Sequence, residues 1–313
     1  MVAVERMPAH VTCVGMSVLD RIMRVDAFAT EPSKVYATGY DEIGGGPAAT
    51  AAVAIQRLGG HARLIARVGD DVTGNAIRDE LASHGIDLSS MRTLAGARSA
   101  ASNVVVDDRG ERQITHFRGE GLDVDADWVE PDDFGASCVV LADTGWPLAA
   151  ERVLSLAANA GKVTVLDADL SVDPRAATLI AMADHVVFSE AALTRMSGIA
   201  DPVDALQWAR PRVPGRYVGV TVGPRGYLWL DDTTLHRLPG HAVDVIDTLG
   251  AGDVFHGAYA LALAEGRDVA HAARFANAAA AIKCTRASGR RGIPFRDEVD
   301  AWLELRYPGQ EPK

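Results

Sequence analysis

The residues best suited to chemistry lie together in the C-terminal part of the chain, in the run Gly250-Ala251-Gly252-Asp253. A short β-type segment precedes this run, and an apolar, alanine-rich stretch with helical spacing follows it at residues 254–264. A helix that begins at glycines leaves amide N–H groups unpaired at the positive end of its dipole, and such a place binds anions, phosphate among them. Asp253 lies in that first turn, where a carboxylate either caps the helix or takes a proton from an attacking hydroxyl.

Two further groups of polar or flexible residues occur in the N-terminal part of the chain. Asp20 follows the buried strand predicted at residues 11–15, and ligands of open α/β sheets bind just beyond the carboxyl ends of strands. Asp20 is therefore placed either to accept hydrogen bonds from the hydroxyls of a sugar or to serve as an ordinary turn aspartate. Gly44, Gly45 and Gly46 lead into an alanine-rich helix and allow a ligand to approach the backbone closely.

Two side chains near these groups have less specific patterns. His256 lies three residues beyond Asp253 and thus on nearly the same helical face, either as a second proton carrier or, as is more common, as a packed histidine. Lys34, in the irregular segment 21–43, is either an anion ligand or a plain surface lysine.

The elements that must position these residues alternate between strand and helix. From residue 138 onward this alternation predicts a parallel sheet with helices on both faces, which is an α/β fold. The predicted strands lie at residues 138–142, 163–167, 185–189 and 217–223, and the predicted helices at 149–159, 175–182, 190–196 and 270–285.

The apolar pattern changes to a period of two at residues 99–118, around an Asp-Arg-Gly turn, and this predicts a β-hairpin. Together with residues 21–43 the hairpin would form a small sheet that stands off the main body. An isolated hairpin is only marginally stable, so we expect it to pack against a neighbouring chain or a substrate. No linker divides the chain, and we expect residues 1–313 to form one domain.

Composition excludes several classes of partner. The net charge of −11 leaves no basic excess to displace the counterions of a nucleic acid. The three cysteines are far apart in sequence and have no metal-binding spacing, which is typical of a reducing compartment. No apolar run approaches the roughly 20 residues that span a bilayer, and the N-terminus lacks the apolar core of a signal peptide. We expect a cytoplasmic protein with neither a membrane nor a nucleic-acid partner.

The run at residues 250–253, the glycines at 44–46 and the sequence Gly69-Asp70-Asp71 resemble the signatures of the ribokinase-like (PfkB) carbohydrate kinase family. The resemblance implies a ribokinase-like fold and an ATP-dependent kinase. It implies that Asp253 is the catalytic base and that the amides of Gly250, Ala251 and Gly252 form the anion hole. It also implies that Asp20, Gly44, Gly45, Gly46, Asn103 and His116 bind the sugar.

The same resemblance assigns the nucleotide site and the small sheet. Thr221, Gly223 and Gly226 are expected to lie against the nucleotide phosphates, and Asn277 with the loop after Cys284 is expected to border the adenine. In the family the small sheet is a lid over the sugar and often the interface of a dimer, so a homodimer through the lid is expected here.

Two features bear on metal ions. Most members of the family carry Asn-x-x-Glu after the strand that ends near Phe188, whereas this chain has Ser189-Glu190-Ala191-Ala192. ATP is used with Mg²⁺, and Glu190 is expected to contact the ion through water and to help bind the nucleotide. Asp247 and the loop near Ser288 resemble the family's K⁺-binding region, although these residues also suit ordinary loop hydrogen bonds.

Within the family the chain resembles the sulfofructose kinases, with which it shares the Ser189-Glu190 departure. That subfamily grips a sulfonate with a lysine, an asparagine and an arginine. Lys34 matches the lysine, but the other two positions hold His116 and Gly145. The expected acceptor is a ketose, with 6-deoxy-6-sulfofructose as one candidate and another neutral or phosphorylated sugar or a nucleoside as alternatives. A non-catalytic sugar sensor is a further alternative, against which the intact run at residues 250–253 speaks.

Overall fold

The computed structural model describes residues 8–122, 125–171, 173–287 and 289–309. The strands in these residues are β1 (His10–Val14), β2 (Val18–Arg24), β3 (Gly39–Gly45), β4 (His61–Gly69), β5 (Met91–Leu94), β6 (Ala101–Val106), β7 (Arg112–Phe117), β8 (Val139–Asp143), β9 (Val163–Ala168), β10 (His185–Ser189), β11 (Tyr217–Thr221), β12 (Tyr227–Leu230) and β13 (Leu235–Leu238). The α-helices are α1 (Pro47–Arg57), α2 (Val72–Ser83), α3 (Pro147–Asn159), α4 (Ala176–Leu179), α5 (Glu190–Ser197), α6 (Pro202–Ala209), α7 (Ala251–Ala264), α8 (Val269–Cys284) and α9 (Arg296–Arg306).

A nine-stranded sheet forms the main body, in the order β13-β12-β11-β10-β9-β8-β1-β4-β5. Its strands from β5 to β11 are parallel, and only β12 and β13 run antiparallel to their neighbours. The predicted α/β fold with a mostly parallel sheet is confirmed. Because the strands are parallel, the carboxyl ends of β1, β8, β9 and β10 meet at one edge of the sheet.

Helices cover both faces of this sheet, and strand β8 shows why. Val139 and Leu141 belong to the core that contains α1, α7 and α8, whereas Val140 and Ala142 belong to the core that contains α3 and α6. Alternate residues of a strand point to opposite faces, so a strand buried on both sides is apolar throughout. This explains the continuous apolar runs in the sequence.

A second sheet of four strands has the order β3-β2-β6-β7. It is built largely from the two segments predicted to form a small sheet, although β2 begins at Val18 and β3 ends at Gly45. The register places Asp20, Ser102 and His116 in one row across three strands. Side chains in one row point to the same face, and those in the next row point to the other. This row therefore decides which residues of the second sheet share a face with Asp20.

One predicted helix is shorter than expected. The pattern predicts a helix over residues 175–182, but α4 ends at Leu179. The amides of Ala181 and Met182 donate to carbonyls three residues back, so the chain tightens into a turn there. Within the described ranges, none of the helices combines the length and the apolar character that crossing a bilayer requires.

Candidate active site

Asp143, the last residue of β8, joins three segments at the carboxyl edge of the sheet. Its Oδ2 accepts hydrogen bonds from the amides of Met16 at 2.8 Å and Ala48 at 3.0 Å, and its Oδ1 accepts from the amide of Gly145 at 2.8 Å. These bonds fix the ends of β1 and β8 against the start of α1. Nothing in the sequence singles out Asp143 beyond its position at the end of an apolar strand.

The first turn of α7 presents free amides to a cleft. Gly250 precedes the helix with φ +75°, a left-handed conformation that favours glycine. The amide of Ala251 donates to the carbonyl of Thr248 at 3.2 Å, so it is not available to a ligand. Within the described part of the chain, the amides of Gly250, Gly252 and Asp253 have no such acceptor. Of the three amides predicted to form an anion hole, that of Ala251 is thus taken up by the chain itself, whereas those of Gly250 and Gly252 are free, as is the amide of Asp253.

Two cavities meet at this turn. The larger cavity, of about 520 Å³, is lined by Ala251 and Gly252 and by every residue predicted to bind nucleotide except Glu190. Those residues are Thr221, Gly223, Gly226 and Asn277. The smaller, of about 40 Å³, is lined by Gly250 and Asp253 together with predicted sugar-binding residues, which are Asp20, Gly44, Gly45 and Gly46. The turn therefore stands between a nucleotide-sized cavity and a small polar one.

Close approach requires glycine at two of these positions. A Cβ on Gly45 would lie 2.1 Å from Oδ2 of Asp20, so no other residue lets the strand pass this carboxylate. Gly46 has φ +93°, and a Cβ there would lie 2.5 Å from the carbonyl oxygen of Met16. The glycine run thus brings the backbone of β3 against both Asp20 and the end of β1.

Arg290 is the main residue of this region that the sequence does not indicate. It is buried, and its guanidinium donates to the carbonyl of Gly45 at 2.6 Å, to Oγ1 of Thr50 at 3.1 Å and to Oε2 of Glu80 at 2.7 Å. The basic run after Cys284 was expected to border adenine, and Cys284 itself does line the large cavity. Arg290 lies instead under the glycines of the small cavity, because distant segments supply its acceptors.

The carboxyl group of Asp253 has a pKa well above that of an ordinary aspartate. Burial raises its pKa to about 7, the charges of Asp169, Asp143 and Asp20 add to the rise, and Arg290 opposes it. Burial also raises the pKa of Asp20, against a hydrogen bond from Ser102 and the charge of Arg290. A base whose pKa lies near the working pH is suited to taking a proton from a hydroxyl.

The second sheet turns one predicted sugar-binding residue, Asn103, away from the small cavity. Ser102 and His116 lie in the row of Asp20, and Oγ of Ser102 is 3.1 Å from Nδ1 of His116. Asn103 lies in the next row, is exposed and faces away from Asp20. The period of two in a strand makes Ser102 and not Asn103 the same-face neighbour of Asp20, which lines the small cavity.

Lys34 is not brought to the site. It lies on the exposed connection between β2 and β3, and its ammonium stands 5.2 Å from the ring centre of Tyr36. It lines neither of the two cavities. Contact with an acceptor would require this segment to move.

His256 is a packed histidine in the interior, which is the more common of the two alternatives that the sequence offered. Its Nε2 is 3.2 Å from the carbonyl oxygen of Val187, and its Nδ1 is 3.3 Å from Oδ2 of Asp167. A carbonyl only accepts, so Nε2 carries the proton. Burial lowers the pKa of His256 and raises that of Asp167. His256 therefore pairs with strands β9 and β10, and it does not face the cleft.

The segment that departs from the family pattern has other partners. Oγ of Ser189 accepts from the amide of Ala192 at 3.1 Å and donates to Asp169 at 2.6 Å. Glu190 forms an ion pair with Arg225 and does not line the cavity of about 520 Å³. No cluster of three metal-ligating side chains occurs in the described ranges. Mg²⁺ usually keeps several waters and takes one or two carboxylates plus substrate phosphates. The charges of Asp169 and Asp253 interact, so these two carboxylates are the candidates for that mode of binding.

The donor set at Asp247 does not fit a dissociable monovalent cation. The ammonium of Lys283 donates to the carbonyl oxygen of Asp247 at 2.9 Å and to its Oδ2 at 3.0 Å. Arg112 lies 3.5 Å from Oδ1 of the same carboxylate. Ser288, the other residue of the expected K⁺ region, lies outside the described residues.

The chain is similar to known proteins along most of its length. The model of the pfkB family of carbohydrate kinases matches residues 8–296. The ribokinase of Bacillus subtilis (strain 168) is 25% identical over 296 residues, which cover 94% of this chain and 99% of that protein. Fructokinase-1 of Oryza sativa subsp. japonica is 27% identical and covers 83% of this chain and 88% of its own.

A solved structure supports the same relationship. The crystal structure of a protein from Agrobacterium tumefaciens, described as a candidate ribokinase, superposes with a TM-score of 0.91 at 40% identity. The match covers 95% of this chain and 98% of that one. The chain therefore belongs to the pfkB family of carbohydrate kinases and is an ATP-dependent phosphotransferase.

Proposed function

We propose that this kinase transfers the γ-phosphate of ATP to a hydroxyl of a small sugar held between Asp20 and Asp253. One observation carries the proposal. The first turn of α7 lines a nucleotide-sized cavity with Gly252 and a small polar cavity with Asp253. A phosphoryl group passing from one cavity to the other would pass this turn.

Asp253 is proposed as the base and the free amides as the anion hole. The carboxylate takes the hydroxyl proton, the sugar oxygen forms a bond to the γ-phosphorus, and the bond to the β-phosphate oxygen breaks to release ADP. The amides of Gly252 and Asp253 face the charge that develops on the transferred group. Loss of one such donor typically costs on the order of 10²–10³ in rate.

Magnesium ion bound with ATP would neutralise charge on the phosphates. Asp169 is proposed to hold it, with Asp253 close by and Glu190 through water once Glu190 leaves Arg225. Ser189 keeps the Asp169 carboxylate oriented through its 2.6 Å hydrogen bond.

The acceptor is proposed to carry a negatively charged group at its far end. A further cavity of about 220 Å³ is lined by Met16 and Ser17 beyond the end of β1, and by Gly145, Arg118 and Arg175. Gly46, which lines the small cavity, packs directly against Met16 and Ser17. The small cavity and this further cavity are thus adjacent, and the far end of an acceptor would extend into the further cavity.

Two polar groups in this further cavity lack a hydrogen-bond partner within the described residues, although the charge of one of them, Arg118, acts on Asp173 in the same lining. Arg118 has neither an ion pair nor a hydrogen bond within the described part of the chain, whereas Arg175 pairs with Asp173 at 2.9 Å. Oγ of Ser17 is likewise buried and unpaired in the described residues. Unpaired arginine and hydroxyl donors favour a sulfonate or phosphate oxygen. Arg118 would thereby take the place of the sulfonate-binding arginine that is missing at position 145, where this chain has glycine. For this reason 6-deoxy-6-sulfofructose and sugar phosphates are the leading proposed acceptors.

A neutral sugar or nucleoside is the second candidate. Ribokinase of Bacillus subtilis, Fructokinase-1 of rice and aminoimidazole riboside kinase of Salmonella typhimurium are all relatives by sequence. Asp20 and the glycines at 44–46 suit any polyhydroxylated acceptor equally well.

Coupled ADP release over a panel of acceptors tests both candidates. The panel contains ribose, fructose, fructose 6-phosphate, 6-deoxy-6-sulfofructose and aminoimidazole riboside. A kcat/KM for an anionic ketose well above that for fructose supports the anionic acceptor, and the ratio of the sulfonated to the phosphorylated sugar distinguishes those two. A preference for ribose, fructose or the riboside contradicts it.

Arg118→Ala sharpens this test, with Arg98→Ala as the matched control. Arg98 also adjoins the lid but pairs with the exposed Glu120 at 3.9 Å and lines none of the three cavities. Arg118→Ala is expected to raise KM for the anionic sugar on the order of tenfold or more and to leave the fructose KM unchanged, since only the charge-assisted contact is lost. Equal effects on both sugars remove Arg118 from recognition.

The second sheet is proposed to act as a lid and as the interface of a homodimer. Its inner face carries Asp20, Ser102 and the exposed Ile114, which would cover a bound acceptor and exclude water. Its outer face exposes Met23 and Tyr40, which are direct partners across β2 and β3. Exposed apolar side chains on a sheet favour packing against a second copy.

A further inference from the structure

Lys283 is a buried cation in an apolar helix. It lies near the end of α8, its relative exposure is 0%, and burial lowers its pKa. Its ammonium group donates to the carbonyl oxygen of Asp247 at 2.9 Å and to the carboxylate of Asp247 at 3.0 Å. A buried lysine requires such a partner, because an uncompensated ammonium in the interior is costly.

The partner of Lys283 belongs to the segment that leads directly into the anion hole. The amides of Ile246 and Asp247 donate to the carbonyl of Cys284, and the Asp247 carboxylate accepts from the amide of Leu249 at 2.9 Å. Gly250 follows at once. The ammonium therefore fastens residues 246–249 to the C-terminal end of α8, where the helix dipole also favours a positive charge.

The charged groups around the Asp247 carboxylate leave no place for another cation. Asp247 contributes one negative charge, whereas Lys283 and Arg112 contribute two positive charges at 3.0 Å and 3.5 Å from its carboxylate oxygens. Arg112 also donates to Oγ1 of Thr248 at 2.8 Å. A monovalent ion bound to the same oxygens would lie beside the ammonium and be repelled by it.

We propose that Lys283 is a built-in cation that positions the loop before the anion hole, so that this kinase needs no dissociable monovalent ion. Lys283 does not touch either cavity and is a positioning residue that acts through Asp247. The effect on turnover rests on the proposed function, but the effect on the fold does not. Thermal unfolding therefore tests the cation independence separately from the kinase mechanism.

The wild-type protein gives the first test. Thermal unfolding and ADP release are measured in KCl, NaCl and tetramethylammonium chloride at equal ionic strength, with Mg²⁺ and ATP constant. The rates are expected to agree within about twofold and the melting temperatures to coincide, because an ion that binds the native state would raise the melting temperature with its concentration. A K⁺-specific rise in either quantity overturns the proposal.

Lys283→Met gives the second test, with Lys162→Met as control. Lys162 also donates its ammonium to a backbone carbonyl, that of Ser137, but lies at the other end of β8 and β9. Lys283→Met leaves the Asp247 carboxylate without its ammonium, so K⁺ is expected to raise its melting temperature and to restore part of its lost kcat, whereas tetramethylammonium does neither. Lys162→Met is expected to respond as the wild type does.

Each outcome of these two tests either supports or contradicts the role of Lys283. If Lys283→Met responds to K⁺ no more than Lys162→Met does, Lys283 does not stand in for a cation. If Lys283→Met does not fold, the wild-type series in the three salts decides by itself. A wild type that is indifferent to K⁺ in unfolding but shows no kinase activity leaves this inference intact and contradicts the proposed function alone.

Discussion

Asp169 lies close enough to Asp253 for its negative charge to add to the effect of burial, and together they raise the pKa of Asp253 to about 7. Asp169 is itself held by the hydroxyl of Ser189 at 2.6 Å. Ser189, which departs from the usual family pattern, thus fixes a carboxylate that adds to the basicity of the proposed catalytic group. Arg290 acts in the opposite direction and keeps the rise in check.

The raised pKa of Asp253 predicts the pH dependence of the reaction. Only the ionised carboxylate accepts a proton, so kcat/KM is expected to fall about tenfold per pH unit below about pH 7 and to level off above it. Asp169→Asn removes one cause of the rise and also the proposed Mg²⁺ ligand, so it is expected to lower the rate and to move the midpoint of the remaining activity to lower pH. Asp232→Asn, at an exposed aspartate that pairs with Arg210 and lines none of the three cavities, is the control. A midpoint near pH 4, or one that Asp169→Asn leaves in place, contradicts the assignment.

Asp253→Asn is expected to separate catalysis from stability. Removal of the base lowers kcat on the order of 10²–10⁴-fold while ATP binding is retained. Because the pKa of Asp253 is higher in the folded state than in the unfolded state, ionisation of this carboxyl opposes folding. The stabilisation by the protonated carboxyl is therefore fully present below the unfolded pKa near 4 and is lost as the pH rises toward 7. The amide carries no charge, so its melting temperature should exceed that of the wild type by a few degrees at pH 8 and by less at pH 5.

Calorimetry at the two pH values and a nucleotide-binding titration check this prediction. An unchanged rate would remove Asp253 from the base role. A variant less stable than the wild type at pH 8 would show that the carboxylate is stabilising and not strained.

Arg290→Met is expected to damage both stability and acceptor binding. It removes the donor to the Gly45 carbonyl and leaves His84 as the remaining side-chain partner of the Glu80 carboxylate, which is 26% exposed. We expect a loss on the order of 3 kcal/mol, the low end of the cost of breaking a buried pair. The control is Arg291→Met, because Arg291 is the exposed neighbour. Denaturant unfolding and the acceptor KM are the measurements, and equal behaviour of the two variants would show that Arg290 is not the anchor described.

The two faces of the lid predict different effects for adjacent residues. Ser102→Ala is expected to raise the acceptor KM several-fold, because its hydroxyl bonds the Asp20 carboxylate and His116. Asn103→Ala is expected to leave kcat and KM unchanged, since that side chain lies on the outer face. Steady-state kinetics on both variants measure this, and the reverse result would mean that the register of β6 differs from the one described.

A dimer through the lid predicts that a charge on its outer face changes the oligomeric state. Met23→Glu places a carboxylate among the exposed apolar side chains and is expected to shift a dimer toward monomer in light scattering. Val72→Glu, at an apolar residue that is 85% exposed and lies outside the lid, is the control. A wild-type protein that is monomeric at all concentrations removes the dimer proposal.

Much of this protein follows from local sequence alone. The alternation of apolar strand and helix patterns predicted the mostly parallel sheet, because each strand buried on both faces must be apolar along its length. The run Gly250-Ala251-Gly252-Asp253 predicted a helix that begins at free amides, because glycine conformation and the absence of earlier acceptors are properties of the turn itself. The glycines at 44–46 likewise indicated a close approach of the backbone.

Tertiary structure alone decided the rest, because the partners lie far apart in sequence. Arg290 meets Gly45 across 245 residues and Lys283 meets Asp247 across 36, and no spacing rule announces either pair. The register of β2, β6 and β7 chose Ser102 over Asn103, since a shift of one residue exchanges the two faces of a strand. Burial, which only the packed chain creates, then turned an ordinary aspartate at position 253 into one that titrates near neutrality.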